Sequence, residues 1–415
     1  MTDAIQRPRR KNPVLRTRQP TLPPGARSRA ALGLTAAAAE GRFALQTCAD
    51  CGAVQYPPRE ACHRCLSRTL PWRVQPAGGE LLSRTTLAHS NDLFFRERLP
   101  WRLGLIRLDC GPSVVAHLHG DCGEAGSRVR VNARLDRAGQ AALVALPHED
   151  TPNMTDDVQL REFTCDPKYR KVLVTDGKTA LGQAIVRALI EAGADVVWAG
   201  HAEPWKRLPG FDTVEKHPQV TLIPLDLTDA RSVREICAEI GGRVDIVVNN
   251  AEVHRNHGIA DRPGTDAARA EMDVNYFGFL RLAQELGPAM RGRGADGQSS
   301  AVAWVNVLSI YALANFPPHG TFSASKAAAL SLSQCLRAEM RPAGIRVINI
   351  FPGPIDDEWN QLMPPPKLAP AALARAIVGA LRDGVEDVYP GDVAQEWLAR
   401  WRDNPKALER EVAAP

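Results

Sequence analysis

Nowhere in its 415 residues does this chain hold the 18 or so consecutive apolar residues that a membrane-spanning helix needs. The apolar stretch from Ala30 to Ala39 is short, is broken by Thr35 and lacks a convincing cleavage site for a leader. The expectation is a soluble, cytoplasmic protein with no membrane partner. A disulfide framework is missing too. Of nine cysteines, five (Cys110, Cys122, Cys165, Cys237 and Cys335) are scattered singly. Charge of one sign is scarce, at +4 net, and aromatic residues make up only 6 % with no stripe that alternates them with basic residues. Those two shortages argue against a nucleic-acid surface. The basic arm at the start (Arg7, Arg9, Arg10, Lys11, Arg16, Arg18), with Asp3 as its acid, reads as a solvated tail and not as a binding element.

What is present falls into two modules, as the length predicts. The stretch "CADCGAVQYPPREACHRC" places Cys48 and Cys51 two residues apart and, ten residues later, Cys62 and Cys65 with the same gap. Two such knuckles deliver four thiolates to one tetrahedral ion, and four soft ligands with no open position describe a closed structural zinc site. His63, inside the second pair, is expected at the surface. Five short strand-like segments follow, Gly79 to His89, Trp101 to Asp109, Ser113 to His119, Arg128 to Leu135 and Ala141 to Leu146, separated by glycine-rich turns. Their number and spacing predict a small antiparallel barrel of OB type.

The order of "GRFALQTCADCGAVQYPPREACHRC", "LPWRV", a glycine turn and these strands resembles the thiolase-associated, or acyl-CoA-associated, zinc-ribbon/OB-fold proteins. The resemblance implies a partner enzyme, a thiolase or thiolase-like aldolase, and an acyl-CoA substrate context.

After a polar stretch, "KVLVTDGKTALGQAIVRALIEAGADVVWAG" supplies strand, turn, helix and strand. Strand-like runs then alternate with helical patterns, which predicts a Rossmann-type doubly wound parallel sheet. The expected layout is 1–40 basic arm and helix, 41–75 zinc ribbon, 76–147 barrel, 148–168 linker, 169–390 Rossmann domain and 391–415 a tail helix. The second module resembles the short-chain dehydrogenase/reductase family, carried by "LDLTD" with Asp226, "NNA" from Asn249 to Ala251, "DVNYFG" with Asn275, "NVLS" with Ser309, Lys326, and "FPGPI" with Pro352 and Gly353.

That resemblance implies a catalytic set of Asn, Ser, Tyr and Lys. Here Asn275, Ser309 and Lys326 stand in place, but "GTFSASKAAAL" puts Phe322 in the Tyr position, and a phenyl ring cannot relay a proton. Neither Tyr311 nor Tyr276 has the four-residue offset to Lys326. The cofactor loop departs as well: "TDGKTALG" has Asp176 at the first glycine position, then Gly177, Ala180 at the second and Gly182 at the last. Glu252 and Asp357 occupy two more positions that the resemblance places in the dinucleotide cleft. His201 and Arg207 remain as groups that could touch a phosphate. NAD(P) is therefore expected to bind weakly or not at all.

The function expected is a noncatalytic subunit of an acyl-CoA-processing complex, with the dehydrogenase-like module retained for assembly. An active NAD(P)-dependent oxidoreductase of a 3-oxo- or 3-hydroxyacyl-CoA is the alternative, and a nucleic-acid-binding barrel a weaker one. The resemblance also implies a homo-oligomer, or a hetero-oligomer with an active dehydrogenase paralogue. Its contact would be formed by helices Asn275 to Met290 and Ser323 to Arg341, through Phe279, Leu282, Leu286, Ala327, Leu330 and Gln334.

Overall fold

The computed structural model describes residues 1–8, 19–203, 205–206, 208–261 and 263–412, apart from the side chain of Gln298. Arg9, Arg10, Lys11, Arg16 and Arg18 of the basic arm, and Arg207, lie outside the described residues. Two compact units divide the chain, the first mainly Thr21–Asp166, the second Pro167–Leu381 with the segment from Asp387 onward.

In the first unit, α1 (Leu32–Ala39) leads into a three-stranded ribbon in the order β2-β1-β3, with β1 Ala44–Thr47, β2 Val54–Gln55 and β3 Trp72–Val74. Gly33 is required there, because a Cβ would fall 2.0 Å from the Trp72 indole nitrogen. The barrel strands β4 (Gly78–Leu87), β5 (Trp101–Leu108), β6 (Ser113–Leu118), β7 (Arg128–Leu135) and β8 (Ala141–Pro147) close in the order β4-β5-β6-β8-β7, with the short helix α2 (Leu93–Arg96) between β4 and β5. Each strand lies within two residues of its expected bounds. Alternation explains why: β7 buries every second residue, and Val129, Val131, Ala133 and Leu135 fill the interior with Leu81, Ile106, Leu108, Val114 and Leu118. Leu34 and Ala38 of α1, with Phe43 and Leu45 of the ribbon, belong to that same apolar cluster, so ribbon and barrel share one core.

The stretch 148–168, expected as a linker, is folded onto the barrel as far as Asp166. Leu160 and Phe163 are buried with Phe94, Trp101 and Leu146, and the Asp157 carboxylate accepts from Arg102 at 2.5 Å and from the Gly120 amide at 3.1 Å. Leu160 and Phe163, with Met154 packed beside them, anchor a stretch that is otherwise mostly polar, too few for a periodic signal.

The second unit is a seven-stranded parallel sheet in the order β11-β10-β9-β12-β13-β14-β15. Its strands are β9 Lys171–Val174, β10 Val196–His201, β11 Val220–Pro224, β12 Ile246–Asn249, β13 Ala303–Val307, β14 Arg346–Ile350 and β15 Asp387–Val388. Strand order reverses between β9 and β12, the place where a doubly wound sheet opens a crevice at the carboxyl ends of its strands. The helices are α3 (Ala180–Glu191), α4 (Phe211–Glu215), α5 (Ala230–Ile240), α6 (Asp266–Met272), α7 (Phe279–Gly292), α8 (Gly320–Met340), α9 (Pro370–Asp383), α10 (Asp392–Asp403) and α11 (Pro405–Val412). Where one tail helix was expected there are two.

Phe279, Leu282 and Leu286, expected on an intersubunit face, are buried in the unit's own core with Trp304 and Val347. Their periodicity is that of an internal helix face, which sequence alone does not separate from a subunit contact. Among the expected contact residues, Ala327, Leu330 and Gln334 of α8 retain exposure.

Candidate functional site

The metal centre is built by two tight turns. Cys48 and Cys51 flank a turn closed by the Gly52 amide on the Cys48 carbonyl, with Gly52 at φ 72°, and the second knuckle repeats it from Leu66 to Cys62 with Leu66 at φ 63°. The sulfurs of Cys48 and Cys65 are 3.5 Å apart, those of Cys51 and Cys62 3.6 Å, and all four lie within 4.8 Å of one another. A tetrahedral zinc with Zn–S near 2.3 Å requires S···S separations of about 3.8 Å, so the set fits. Backbone amides of Cys51 and Asp50 bring the Cys48 thiol down to about 6, and those of Arg64 and Cys65 lower Cys62. At Cys65 the Ser67 amide also lowers the thiol, but the sulfurs of Cys51 and Cys48 outweigh it and push the group up to about 12. Four thiolates at one point call for a cation among them. His63 is not a ligand; its Nδ1 lies 3.3 Å from Gln55 Oε1.

At the sheet's switch point, a cleft of about 220 Å³ is lined by residues that include Asp176, Thr179, Ala180, Asn250, Glu252, Asp357, Glu358 and Trp359. Its floor is the turn from β9 into α3. Gly182 sits where a Cβ would meet the Asp176 carbonyl oxygen at 2.0 Å, and Gly177 where one would meet Ala199 at 2.6 Å. Both glycines allow close backbone approach. Thr179 caps α3 by accepting from the Gly182 amide. Asp176 Oδ1 accepts from the amides of Lys178 at 2.9 Å and Thr179 at 3.3 Å, while its own amide donates to Asn250 Oδ1. Burial raises this carboxyl against the lowering effect of those amides. Asn250 also returns a 2.7 Å bond to the Asp176 carbonyl, and Thr175 Oγ1 accepts from the amides of Asn250 and Ala251.

Lys326 is 3 % exposed on α8. It donates to the Val307 carbonyl at 3.0 Å and pairs with the Glu252 carboxylate at 2.7 Å. Phe322, one turn earlier, is buried, and His254 lies flat on its ring with centroids 3.7 Å apart and planes at 14°. His254 Nε2 and His319 Nδ1 are 3.1 Å apart. Burial holds both rings neutral, His254 down to about 2 with help from His319 and Lys326, and His319 to about 4. Ile310, Tyr311 and Phe322 form an apolar cluster with Ala394 and Leu398 of α10, and Trp397 packs edge-on against Tyr311 and Phe316.

The remaining expected residues make the following local contacts. Asn275, in the π-helical turn Asp273–Gly278, donates to the Val253 carbonyl and Ser325 Oγ and accepts from the Val253 amide, which fixes the loop that carries Glu252. Such turns often mark functional positions. Ser309 accepts from the Tyr311 amide at the start of a 3₁₀ turn. Asp226 accepts from the Thr228 amide and hydroxyl. Asn249 bonds Asn306 and Thr175 between strands. The Pro352 carbonyl accepts from the Ile310 amide, and a Cβ on Gly353 would meet Val393 at 3.0 Å. Asp357 caps the turn Glu358–Asn360 through the amides of Trp359 and Asn360, and burial, then Glu252, pushes it up to about 6. His254 and His319 were not anticipated. The available signal was a His two residues after Glu252 and another one helical turn before Phe322.

Residues 170–365 match the family described as short chain dehydrogenase, residues 35–71 that described as ChsH2, rubredoxin-like zinc ribbon domain, and residues 72–135 the ChsH2, C-terminal OB-fold domain. An uncharacterized oxidoreductase of Staphylococcus aureus (strain USA300) is 30 % identical over 215 residues, 50 % of this chain and 89 % of that protein. Dehydrogenase/reductase SDR family member 7B of Mus musculus is 34 % identical over 190 residues, 44 % of this chain, which spans 56 % of the mouse protein. Among solved structures, a short chain dehydrogenase of Burkholderia cenocepacia J2315 in complex with NADP is similar at 33 % identity and TM-score 0.53, covering 59 % of this chain and 98 % of that one. One from Streptomyces avermitilis is similar at 26 % identity and TM-score 0.50, covering 58 % and 96 %. With the switch-point cleft, the Ser309 and Lys326 positions and the four-cysteine ribbon all in place, the chain belongs over its second unit to the short chain dehydrogenase family and carries ChsH2-type zinc-ribbon and OB-fold domains ahead of it.

Proposed function

We propose that this protein is a noncatalytic subunit of an acyl-CoA-processing complex. Its ribbon and barrel dock on a thiolase or thiolase-like aldolase, and its dehydrogenase-like unit serves assembly, as a homo-oligomer or beside an active dehydrogenase paralogue. The observation that carries the reading is at Lys326: its ammonium is held by Glu252 at 2.7 Å, and the ring one turn away is Phe322, which has no proton to give. A dinucleotide does not fit the charges of the cleft. Each carboxylate within ~5 Å of a phosphate costs on the order of 3 kcal/mol at an effective dielectric of about 20 before neighbouring cations are counted. Among the described residues the lining has Asp176, Glu252, Asp357 and Glu358 and no Lys or Arg, with Lys326 and Lys206 lying against Glu252 and Glu358 from outside it.

Copurification from the native cell followed by mass spectrometry tests the assembly, with a thiolase-like enzyme expected in stoichiometric amount. Turnover of a 3-oxoacyl-CoA with NAD(P)H, lost in Lys326→Ala, would overturn the proposal. It would establish the second reading, an active NAD(P)-dependent oxidoreductase, which the likeness to the NADP-bound Burkholderia cenocepacia protein favours.

A further inference from the structure

We propose that Asp176, Glu252 and His254 form an internal stand-in for a dinucleotide, so that the second unit folds with its cleft satisfied by its own side chains, and that Glu252 is the residue chiefly responsible for excluding the cofactor. The proposal deepens the noncatalytic reading and rests on it only in taking the cleft to perform no hydride transfer.

Three observations carry it. Backbone amides at the start of a helix attract an anion, and at α3 the amides of Lys178 and Thr179 already have one in Asp176 Oδ1. A buried ammonium requires a partner, and Lys326 has one in Glu252 at 2.7 Å, with Glu252 itself only 13 % exposed. A flat apolar ring accepts a flat partner, and Phe322 carries the imidazole of His254 at 3.7 Å on its face. An anion at the helix start, a hydrogen-bond partner for the ammonium and a flat ring are kinds of contact a nicotinamide dinucleotide would bring to this crevice, through its pyrophosphate, ribose and nicotinamide, and each is supplied from within the chain.

The acids of the cleft are thus partnered and do not form an open cation site. Asp176 and Asp357 accept from backbone amides, Glu252 faces Lys326, and Glu358 lies 3.8 Å from the Lys206 ammonium. Asn275 fixes this arrangement, because its amide group grips the Val253 backbone between Glu252 and His254 on both sides. Glu252 and His254 are therefore set in place by one clamp.

Isothermal titration of the full-length chain with NADPH and with NADH, together with thermal melting in the presence and absence of each, tests the proposal on the wild type, Glu252→Gln, Glu252→Gly and Asp176→Gly/Glu252→Gly. Expected is no saturable binding to the wild type up to about 1 mM, at least tenfold tighter binding in the Glu252 variants, and a further gain in the double variant. The dinucleotide should raise the melting temperature of the variants and leave that of the wild type unchanged. If the double variant does not fold, Glu252→Gln decides, since Gln keeps the size of the side chain and removes the charge. Micromolar binding to the wild type overturns the stand-in, as does a Glu252→Gln protein with a native melting transition and no gain. Binding to the wild type without turnover of a 3-oxoacyl-CoA leaves the noncatalytic reading standing, whereas wild-type binding with turnover overturns both.

Discussion

A methyl group on Gly182 would land 2.0 Å from the Asp176 carbonyl oxygen, and a backbone atom cannot rotate out of the way. Gly182→Ala should therefore cost about 3 kcal/mol in the second unit, read as a lowered melting transition. Asp357, Asp176, His254 and His319 contribute to the dependence on pH, and His117, depressed by burial to about 4, acts in the same direction as the other two histidines. The fold raises Asp357 to about 6, so its contribution is fully present below the unfolded value near 4 and is lost as pH rises through about 6. Asp176 is shifted in the same direction. His254 and His319 are depressed to about 2 and 4, so the fold loses stability as pH falls below about 6.5. The two effects oppose each other in one window, and the two histidine shifts are larger than that of Asp357. Net destabilisation on acidification from pH 7 to 5 is expected, and Asp357→Asn should deepen it by removing the opposing term. Melting temperatures of the two proteins across that range check the sign. At this scale Lys326, Ser309 and Phe322 were legible through the family resemblance, but His254 was not, because nothing in "AEVHRNHG" says which His will lie on a ring 68 residues later.

At the scale of elements, the ribbon and α10 invite the clearest experiments. Cys51→Ser leaves three ligands where a closed site needs four. Elemental analysis should read one zinc per chain in the parent and none in the variant. The melting transition of the first unit should also fall, because Phe43 and Leu45 of the ribbon lie in the barrel core. On α10, Leu398 is buried against the cluster of Ile310, Tyr311 and Phe322. Leu398→Ala should cost about 2–3 kcal/mol in the second unit, measured by thermal or urea unfolding. The barrel strands were legible to within two residues because alternation has a period of two and the turns carry glycine. The segment 148–166 was not, since its buried residues mix polar groups (Asp156, Asp157, Gln159, Asp166) with Leu160, Phe163 and Cys165 and make no apolar period. The apolar face of α7 misled for a related reason: periodicity reports that a face is covered and leaves open by what.

For the whole molecule, the open quantity is its company. A homodimer or a heteromer is expected in sedimentation at micromolar concentration, and a monodisperse monomer with and without a candidate thiolase would count against the assembly role. By itself the sequence determined the two modules and the four cysteines of the ribbon, because each is written in local pattern, Cys-x₂-Cys and period-two strands, and the family resemblance placed Phe322 thirteen residues after Ser309 and four before Lys326. Only the tertiary structure decided which side chains meet in the cleft. Glu252 and Lys326 are 74 positions apart, and Asp176 and Asn250 also 74, yet each pair is bonded. Parallel strands joined by long crossovers bring such residues to one crevice, and no local pattern records which carboxylate will meet which ammonium there.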